Sequence, residues 1–156
     1  MKVDVMLISS VGGHLTQLTQ LFPLTKEYKC AIVTEKLEAT SNLKKKYENV
    51  EYLVYGTREH LFSYLFKFSF NVLKSFYLFF KYRPEVIITT GTHTAVPMCY
   101  IAKLFRKKVV FIESFAKRFD ANMSGKMVYP IADVFMVQWE SMLEVYPKAI
   151  CKGGLY

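Results

Sequence analysis

The sequence predicts an α/β fold in which a single doubly wound parallel sheet carries helices on both faces. Two observations support this fold class. Short runs of almost continuously apolar residues alternate with helical patterns, and such runs are typical of parallel strands covered on both faces. The loops between these segments are short, so that successive strands and helices form right-handed βαβ units. The strand order expected for such a sheet is 3-2-1-4-5-6.

The elements follow one another regularly along the chain. The first strand reads Val-Asp-Val-Met-Leu-Ile, and the second reads Lys-Cys-Ala-Ile-Val-Thr. The predicted strands span 3–8, 29–34, 50–55, 85–89, 108–112 and 133–137. The predicted helices span 13–22, 38–47, 60–82, 94–105, 124–131 and 140–145.

The chain length favours one domain. No repeat, low-complexity tract or Gly/Ser linker interrupts the 156 residues, so we expect a single Rossmann-like domain over 1–156. Residues 151–156 are expected to form a short tail or a last strand that pairs with something else. Met1-Lys2-Val3-Asp4 has an acid inside the first apolar run and no cleavage pattern, which indicates a mature strand and not a signal peptide.

Composition excludes some classes of protein and leaves others open. Hydrophobic residues make up 52% of the chain and charged residues 22%, which excludes wholesale disorder. The net charge of +8 points to an anionic partner, which could be nucleic acid, a phosphorylated substrate or an acidic membrane. The cysteines are far apart and suit reduced thiols in a cytosolic protein. The three histidines have no convincing set of neighbouring ligands, and we predict neither a metal nor a cofactor.

Two unusual turns follow the first and fourth strands, which flank the expected switch point. The first turn is Ser9-Ser-Val-Gly-Gly-His14, and the second is Thr89-Thr-Gly-Thr-His-Thr94. Glycines allow close approach of a ligand, and the helix start after each turn attracts anions. Neither turn has dinucleotide or P-loop spacing, and a histidine here could simply cap its own helix. Together the turns predict a clamp for a phosphate or diphosphate.

Glu113 directly follows the fifth strand and belongs to the same edge of the sheet. Its carboxylate could reach a sugar hydroxyl or orient a histidine. It could equally cap the next segment or pair with Lys117 or Arg118. The sequence does not choose between these roles.

The helix over 60–82 has more apolar surface than packing on a sheet requires. At about 100° per residue, its main polar positions fall within an arc of roughly 80°; they are His60, Ser63, Lys67, Asn71, Lys74 and Lys81. Three lysines argue against a transmembrane span. The surplus apolar surface could lie in an anionic membrane interface, contact a partner chain or be buried. The membrane-contact residues that we predict are Phe62, Phe66, Lys67, Phe70, Lys74, Phe76, Phe80 and Lys81.

These motifs resemble those of MurG-type lipid-linked sugar transferases. Ser-Val-Gly-Gly-His at 10–14 is similar to the first glycine-rich turn of that family, and Thr-Gly-Thr-His-Thr-Ala-Val-Pro at 90–97 to the second. Phe-Ile-Glu-Ser at 111–114 and Val-Gln-Trp-Glu at 137–140 also match. The closest similarity is to proteins that form only the N-terminal half of such an enzyme. They include the membrane-recruiting subunit of the dolichol-linked N-acetylglucosaminyltransferase and bacterial galactosyltransferase enhancers of capsule and exopolysaccharide synthesis.

The resemblance implies a GT-B enzyme divided between two chains. This chain would bind a polyprenyl-diphosphate-linked saccharide acceptor, and a separate glycosyltransferase subunit would bind UDP-galactose or UDP-GlcNAc. Eukaryotic members carry an N-terminal membrane anchor, whereas here a strand begins at once. Attachment to the cytoplasmic face of the membrane would then be peripheral and depend on helix 60–82.

The resemblance also implies roles for individual residues. His14 would be a base or a hydrogen-bond donor to the reacting hydroxyl, because histidine exchanges protons at neutral pH. The acceptor and its diphosphate would contact Ser10, Gly12, Gly13, Gly91, Thr92, His93, Thr94 and Glu113.

Two other classes of function compete with this interpretation. A self-sufficient α/β enzyme that binds a phosphate or nucleotide could use the same turns, but no convincing nucleophile or metal ligand set accompanies them. A nucleic-acid module is supported by charge alone, since the Phe-rich helix lacks a base-reading layout. We therefore expect no nucleic-acid partner.

Overall fold

One parallel sheet forms the centre of the molecule. The structure, a computed structural model, describes residues 1–56 and 61–155. Its strands are β1 Val5–Ile8, β2 Cys30–Glu35, β3 Val50–Leu53, β4 Val86–Thr89, β5 Lys108–Ile112, β6 Val134–Val137 and β7 Ile150–Cys151. Within the described ranges these seven strands are parallel and lie in the order β3-β2-β1-β4-β5-β6-β7. The predicted fold class and the order of the first six strands are confirmed.

The position of the site follows from the pairing of β1 with β4. Val5 to Ile8 lie beside Val86 to Thr89, and the order of connection reverses between these two strands. The turns that leave the carboxyl ends of β1 and β4 are therefore neighbours at the switch point of the sheet.

The C-terminal strand was only partly predicted. Ile150 and Cys151 pair with Met136 and Val137 at the end of β6. The alternative that a last strand would pair with something else is wrong for Cys151, because its neighbour is β6 of the same chain. The backbone N–H of Leu155 then donates to Gln138 Oε1 at 2.9 Å, which holds the following tail against the sheet.

Most of the helices are shorter than their sequence patterns suggested. They are α1 Gly13–Thr19, α2 Leu43–Lys46, α3 Leu61–Tyr82, α4 Val96–Leu104 and α5 Met123–Val128. Glu140–Leu143, predicted as a helix over 140–145, is a 3₁₀ turn. The predicted helix 13–22 ends at Thr19, and a separate 3₁₀ segment, Phe22–Lys26, follows. Pro23 lies in the first turn of that segment, and a proline disfavours the α-helical conformation of the residue before it.

The prediction of one helix over 38–47 is wrong. A 3₁₀ turn, Glu38–Thr40, precedes the single turn of α2. The Thr40 hydroxyl accepts from the Leu37 backbone N–H at 3.0 Å and lies 2.9 Å from the Glu35 carbonyl oxygen. Such side-chain bonds to nearby backbone compete with a continuous helix.

Helix α3 matches its predicted range and packs on the sheet through one side only. Ser75, Leu78, Phe79 and Tyr82 are buried against the core, which continues through α4 and strands β4 to β6. Asn71, placed on the polar arc by the sequence, is also buried. Its side chain accepts from the Val54 backbone N–H and donates to the Val54 carbonyl, both at 2.8 Å. The amide therefore continues the hydrogen bonding of β3 where that strand ends.

Over residues 1–56 and 61–155, no helix is both long enough and apolar enough to cross a membrane.

Candidate functional site

The two glycine-rich turns are joined by a reciprocal hydrogen-bonded clip. His14, the second residue of α1, has its Nδ1 2.6 Å from the Thr90 carbonyl oxygen after β4. The Thr90 hydroxyl in turn donates to the His14 carbonyl at 2.8 Å. These contacts join residues 76 positions apart, so the sheet order brings together the two walls that the sequence predicted.

The clip fixes the proton on the His14 ring. A carbonyl oxygen can only accept, so Nδ1 must carry the hydrogen that bonds Thr90. In the neutral ring, Nε2 is then the nitrogen with a free lone pair. Within the part of the chain that the structure describes, Nε2 makes no hydrogen bond. His14 is thus oriented to accept a proton or a hydrogen bond through Nε2.

Gly91 shapes the second turn against this ring. Its φ of 96° lies in the left-handed region that glycine tolerates best, and its N–H donates to Thr89 Oγ1 at 3.0 Å. A Cβ at this position would lie 3.2 Å from His14 Nδ1. The absence of a side chain at Gly91 therefore allows the two turns to approach.

A cavity of about 280 Å³ opens beside the clip. Its polar wall comes from three helix starts, those of α1, α4 and α5, and its apolar wall from α3. The residues that line it are His14, Tyr64, Phe68, Thr92, His93, Val96, Asn122, Met123, Ser124 and Met127. The Thr92 hydroxyl oxygen is buried and has no hydrogen-bond partner among the described residues. The cavity therefore combines imidazole, hydroxyl and amide groups with an apolar side.

Glu35 forms hydrogen bonds to both turns, and this role was not predicted from the sequence. Its carboxylate is buried at the end of β2. Oε1 accepts from the Thr94 hydroxyl at 2.7 Å, and Oε2 accepts from the Val11 backbone N–H at 3.2 Å. The one available signal was an acid at the end of an otherwise apolar strand that points to the same sheet edge.

Glu113 is buried behind the part of the cavity wall that α5 forms. The residue is 0% exposed, and its Oε1 accepts from the Ser114 backbone N–H at 2.8 Å and from the Asn122 side-chain amide. Oε2 accepts from the Tyr146 hydroxyl at 3.1 Å. Burial raises the pKa of Glu113, and the hydrogen bonds from Ser114 and Tyr146 oppose that rise. The carboxylate therefore contacts the base of α5 and is placed below the cavity, whereas we had predicted a contact with the acceptor.

Asn122 and Ser124 are site residues that the sequence prediction missed. The Asn122 side chain caps α5 by accepting from the Gly125 backbone N–H at 2.6 Å, and it also accepts from the Ser124 hydroxyl at 2.7 Å. An asparagine directly before a helical pattern is a recognised start signal, and it could have been read here. The predicted helix, 124–131, began one residue after the observed start at Met123, and Asn122 was not identified as its cap.

The remaining predicted site residues occupy distinct positions. Thr92 and His93 line the cavity, and the His93 ring lies 5.6 Å from that of Tyr64. Ser10 and Thr94 are buried behind the turns. Gly12, with a φ of 80°, and Gly13 have open space where a Cβ would stand. These two glycines lie at the open rim of the first turn.

Seven large apolar side chains among the described residues of α3 are exposed to solvent, and we call them the outer face of α3. They are Phe62, Leu65, Phe66, Phe70, Leu73, Tyr77 and Phe80. Phe62 and Phe66 are 81% and 78% exposed. His60, which the sequence placed on the polar arc of this helix, lies outside the described residues. Four of the predicted phenylalanines, Phe62, Phe66, Phe70 and Phe80, lie on this face.

The other predicted contact residues lie to either side of the outer face. Phe76 is half-buried against the core, which differs from the prediction. Lys74 is half-buried near Tyr52 of β3, and Lys67 is exposed. Lys81 pairs with Glu51 at 2.5 Å, and this contact lowers the pKa of Glu51 against the effect of its burial. Lys81 is therefore tied to β3.

In residues 1–56 and 61–155, no group of three or more His, Cys, Asp or Glu side chains is arranged to hold a metal ion.

Both the sequence and the fold of this chain are similar to those of known proteins. The family model described as "Oligosaccharide biosynthesis protein Alg14 like" matches residues 5–155. UDP-N-acetylglucosamine transferase subunit ALG14 of Candida albicans is 38% identical over 81 residues, which are 48% of this chain and 37% of the relative. The human protein of that name is 26% identical over 180 aligned positions, with 99% of this chain and 83% of the relative covered.

The fold is that of the N-terminal, Rossmann-like half of GT-B enzymes. MurG of Acinetobacter baumannii superposes with a TM-score of 0.69 at 14% identity, and the match covers 88% of this chain but only 42% of MurG. At this identity the similarity concerns the fold alone. The chain spans less than half of MurG and of the Candida relative that it matches.

Proposed function

Because this chain belongs to the Alg14-like family of oligosaccharide biosynthesis proteins, we propose that it is the acceptor-binding subunit of a two-chain glycosyltransferase. The acceptor is a saccharide on a polyprenyl diphosphate, as used in capsule or exopolysaccharide synthesis. The donor is UDP-GlcNAc, as in the names of the relatives, or UDP-galactose. The donor is bound by a partner chain that supplies the second half of the GT-B cleft.

The observation that carries this proposal is the oriented His14 beside a mixed polar and apolar cavity. The attacking hydroxyl of the acceptor sugar donates to His14 Nε2, whose neighbour Nδ1 is held by Thr90. As the hydroxyl oxygen forms its bond to the anomeric carbon, its proton passes to Nε2 and UDP leaves with the electrons of the broken bond. Thr92, His93, Asn122 and Ser124 offer hydrogen bonds to the saccharide and diphosphate.

The partner chain would cover the carboxyl edge of the sheet. Phe119 is 75% exposed in the loop after β5. In the same loop Arg118 lies over the Trp139 ring at 4.2 Å, and Trp139 Nε1 donates to the Phe115 carbonyl at 2.7 Å. Trp, Arg and Phe side chains are the residue types that dominate protein interfaces. These residues follow β5 and β6, so they belong to the carboxyl edge of the sheet, where a GT-B cleft would close.

The outer face of α3 would attach the subunit to the cytoplasmic face of an anionic membrane. Soluble monomers rarely expose contiguous apolar surface of this kind. Lys67 next to this face can reach anionic headgroups while its stem stays in the apolar layer. The net charge of +8 adds long-range attraction to the same surface.

Separate measurements of binding and of turnover test whether this chain binds the acceptor while a partner chain binds the donor. Undecaprenyl-diphosphate-GlcNAc and UDP-GlcNAc would each be titrated into the purified chain in detergent. We expect the lipid-linked acceptor to bind and UDP-GlcNAc to show no saturable binding. Transfer of radiolabelled sugar should begin only when the UDP-sugar-binding chain is added.

Two results would contradict the proposal. Turnover by the isolated chain would show a self-sufficient enzyme. Tight binding of UDP-GlcNAc that is lost in His14→Asn would place the donor, and not the acceptor, in this cavity.

A further inference from the structure

The polar cavity continues into an apolar groove between α3 and α4. The groove has a volume of about 580 Å³, and its apolar lining includes Phe68, Val72, Phe76, Val96, Leu104 and Met127. We infer that this groove binds the first isoprene units of the acceptor lipid, directly after its diphosphate. The inference rests on the proposed function, because it concerns the same lipid-linked acceptor and states where its hydrocarbon chain binds.

Continuity with the cavity is the first argument for this occupant. Phe68, Val96 and Met127 line both spaces, so the groove begins where the cavity ends. A ligand that fills both must change from polar to apolar along its length. The diphosphate end of a prenyl lipid makes that change at a single bond.

The walls of the groove provide the second argument. Its single cationic residue, Lys103, is paired with Asp133 at 3.0 Å. The Tyr100 hydroxyl donates to the Met127 carbonyl at 2.9 Å. The polar atoms of the rim are thus occupied by the protein, and the remaining surface suits a hydrocarbon that offers no hydrogen bonds. A peptide segment would bring backbone groups that this surface cannot satisfy.

The arrangement of α3 provides the third argument. At about 100° per residue, the groove positions 68, 72 and 76 are centred roughly 120° around the helix from positions 66, 73 and 77 of the outer face. The two apolar rows therefore adjoin. With the outer face on a membrane, a prenyl chain would pass from the bilayer through the groove to the cavity without crossing water.

The dependence of affinity on chain length tests the inference without a membrane. Dimethylallyl diphosphate and farnesyl diphosphate carry the same headgroup and differ by ten carbons. Calorimetry below the micellar concentration should show that farnesyl diphosphate binds the wild-type chain at least tenfold more tightly, because its extra carbons leave water.

Two variants locate the effect in the groove. Val72→Glu and Leu104→Glu should each reduce the farnesyl preference to less than threefold while the affinity for dimethylallyl diphosphate stays unchanged. Leu104 is 71% exposed, so its replacement leaves the fold intact even if Val72→Glu unfolds. The matched control is Leu73→Glu on the outer face of α3, which should keep the full preference.

The possible outcomes separate the two proposals. If both diphosphates bind equally, or if Leu73→Glu abolishes the preference as fully as the groove variants do, the groove assignment is overturned and the acceptor site stands. If neither diphosphate binds while the chain still activates transfer with its partner, the groove assignment also fails. If neither binds and no activation occurs, the proposed function fails as well.

Discussion

The cavity at the switch point and the outer face of α3 are built on opposite physical principles. Around the cavity almost every polar group is held by a second group, as with His14 by Thr90 and Glu113 by Asn122 and Tyr146. On the outer face, large rings such as Phe62 and Phe66 stand in solvent. Reaction geometry requires fixed atoms, whereas attachment to a fluid surface requires only apolar area. The difference is the one expected if, as we propose, the first region orients a substrate and the second attaches the protein.

The largest effect is expected from His14→Asn in the complete two-chain enzyme. The asparagine amide can still donate to the Thr90 carbonyl in place of Nδ1, but the free lone pair of Nε2 is lost. Loss of a general base lowers the rate by about 10² to 10⁴-fold. The measurement is kcat with saturating acceptor and donor. Exposed Gln20 on the same helix segment offers the control Gln20→Ala, which should keep wild-type kcat. Undiminished turnover by His14→Asn would show that His14 is not the general base.

The second largest effect is expected on the free energy of unfolding, and two glycines near helix starts test it. Alanine is normally favoured over glycine in a helix by about 1 kcal/mol. At Gly125, however, a Cβ would lie 2.4 Å from Glu113 Oε2 and 2.5 Å from the Tyr146 hydroxyl. We expect Gly125→Ala to lower the free energy of unfolding by about 1 to 3 kcal/mol.

Gly13→Ala is the matched control in urea unfolding. A Cβ at Gly13 has no atom within 4 Å, so this change should be neutral or slightly stabilising. Equal effects of the two substitutions would show that the residues around Glu113 can move to accommodate a Cβ. The cavity wall would then not be more rigid than the outer face of α3.

The sequence could predict the elements whose signals are local and periodic. Alternating apolar runs predicted six strands and their order, and the glycine-rich turns predicted the two neighbouring walls that contain His14 and Gly91. Glu35 could not be found in this way, because its two partners, Val11 and Thr94, are distant in sequence and meet only through the sheet. Likewise, the polarity of Asn71 suggested exposure, but a buried amide can be satisfied by an unpaired strand end.

A moderate effect is expected when the outer face is made polar. Phe66→Ser with Phe70→Ser should weaken binding to vesicles that contain anionic lipid by about tenfold or more, since each aromatic ring removed from the apolar layer costs about 1 to 3 kcal/mol. Cosedimentation with vesicles measures this affinity. Tyr28→Ser alters an aromatic residue of 48% exposure outside α3 and serves as the control. Unchanged vesicle binding in the double variant would indicate that a protein partner covers this face.

The smallest effect concerns the pH dependence of Glu113. Because burial raises its pKa in the folded state, the carboxyl binds a proton more readily there than in the unfolded chain. Its contribution to stability is therefore fully present below the ordinary carboxyl range and is lost as pH rises through the folded pKa. Glu113→Gln has no such titration, so the stability of wild type relative to this variant should fall across that interval. Carboxyl ¹³C shifts followed against pH report the pKa directly. A pKa below the ordinary value would mean that the hydrogen bonds from Ser114, Asn122 and Tyr146 outweigh burial, and that Glu113 holds α5 as a charged group.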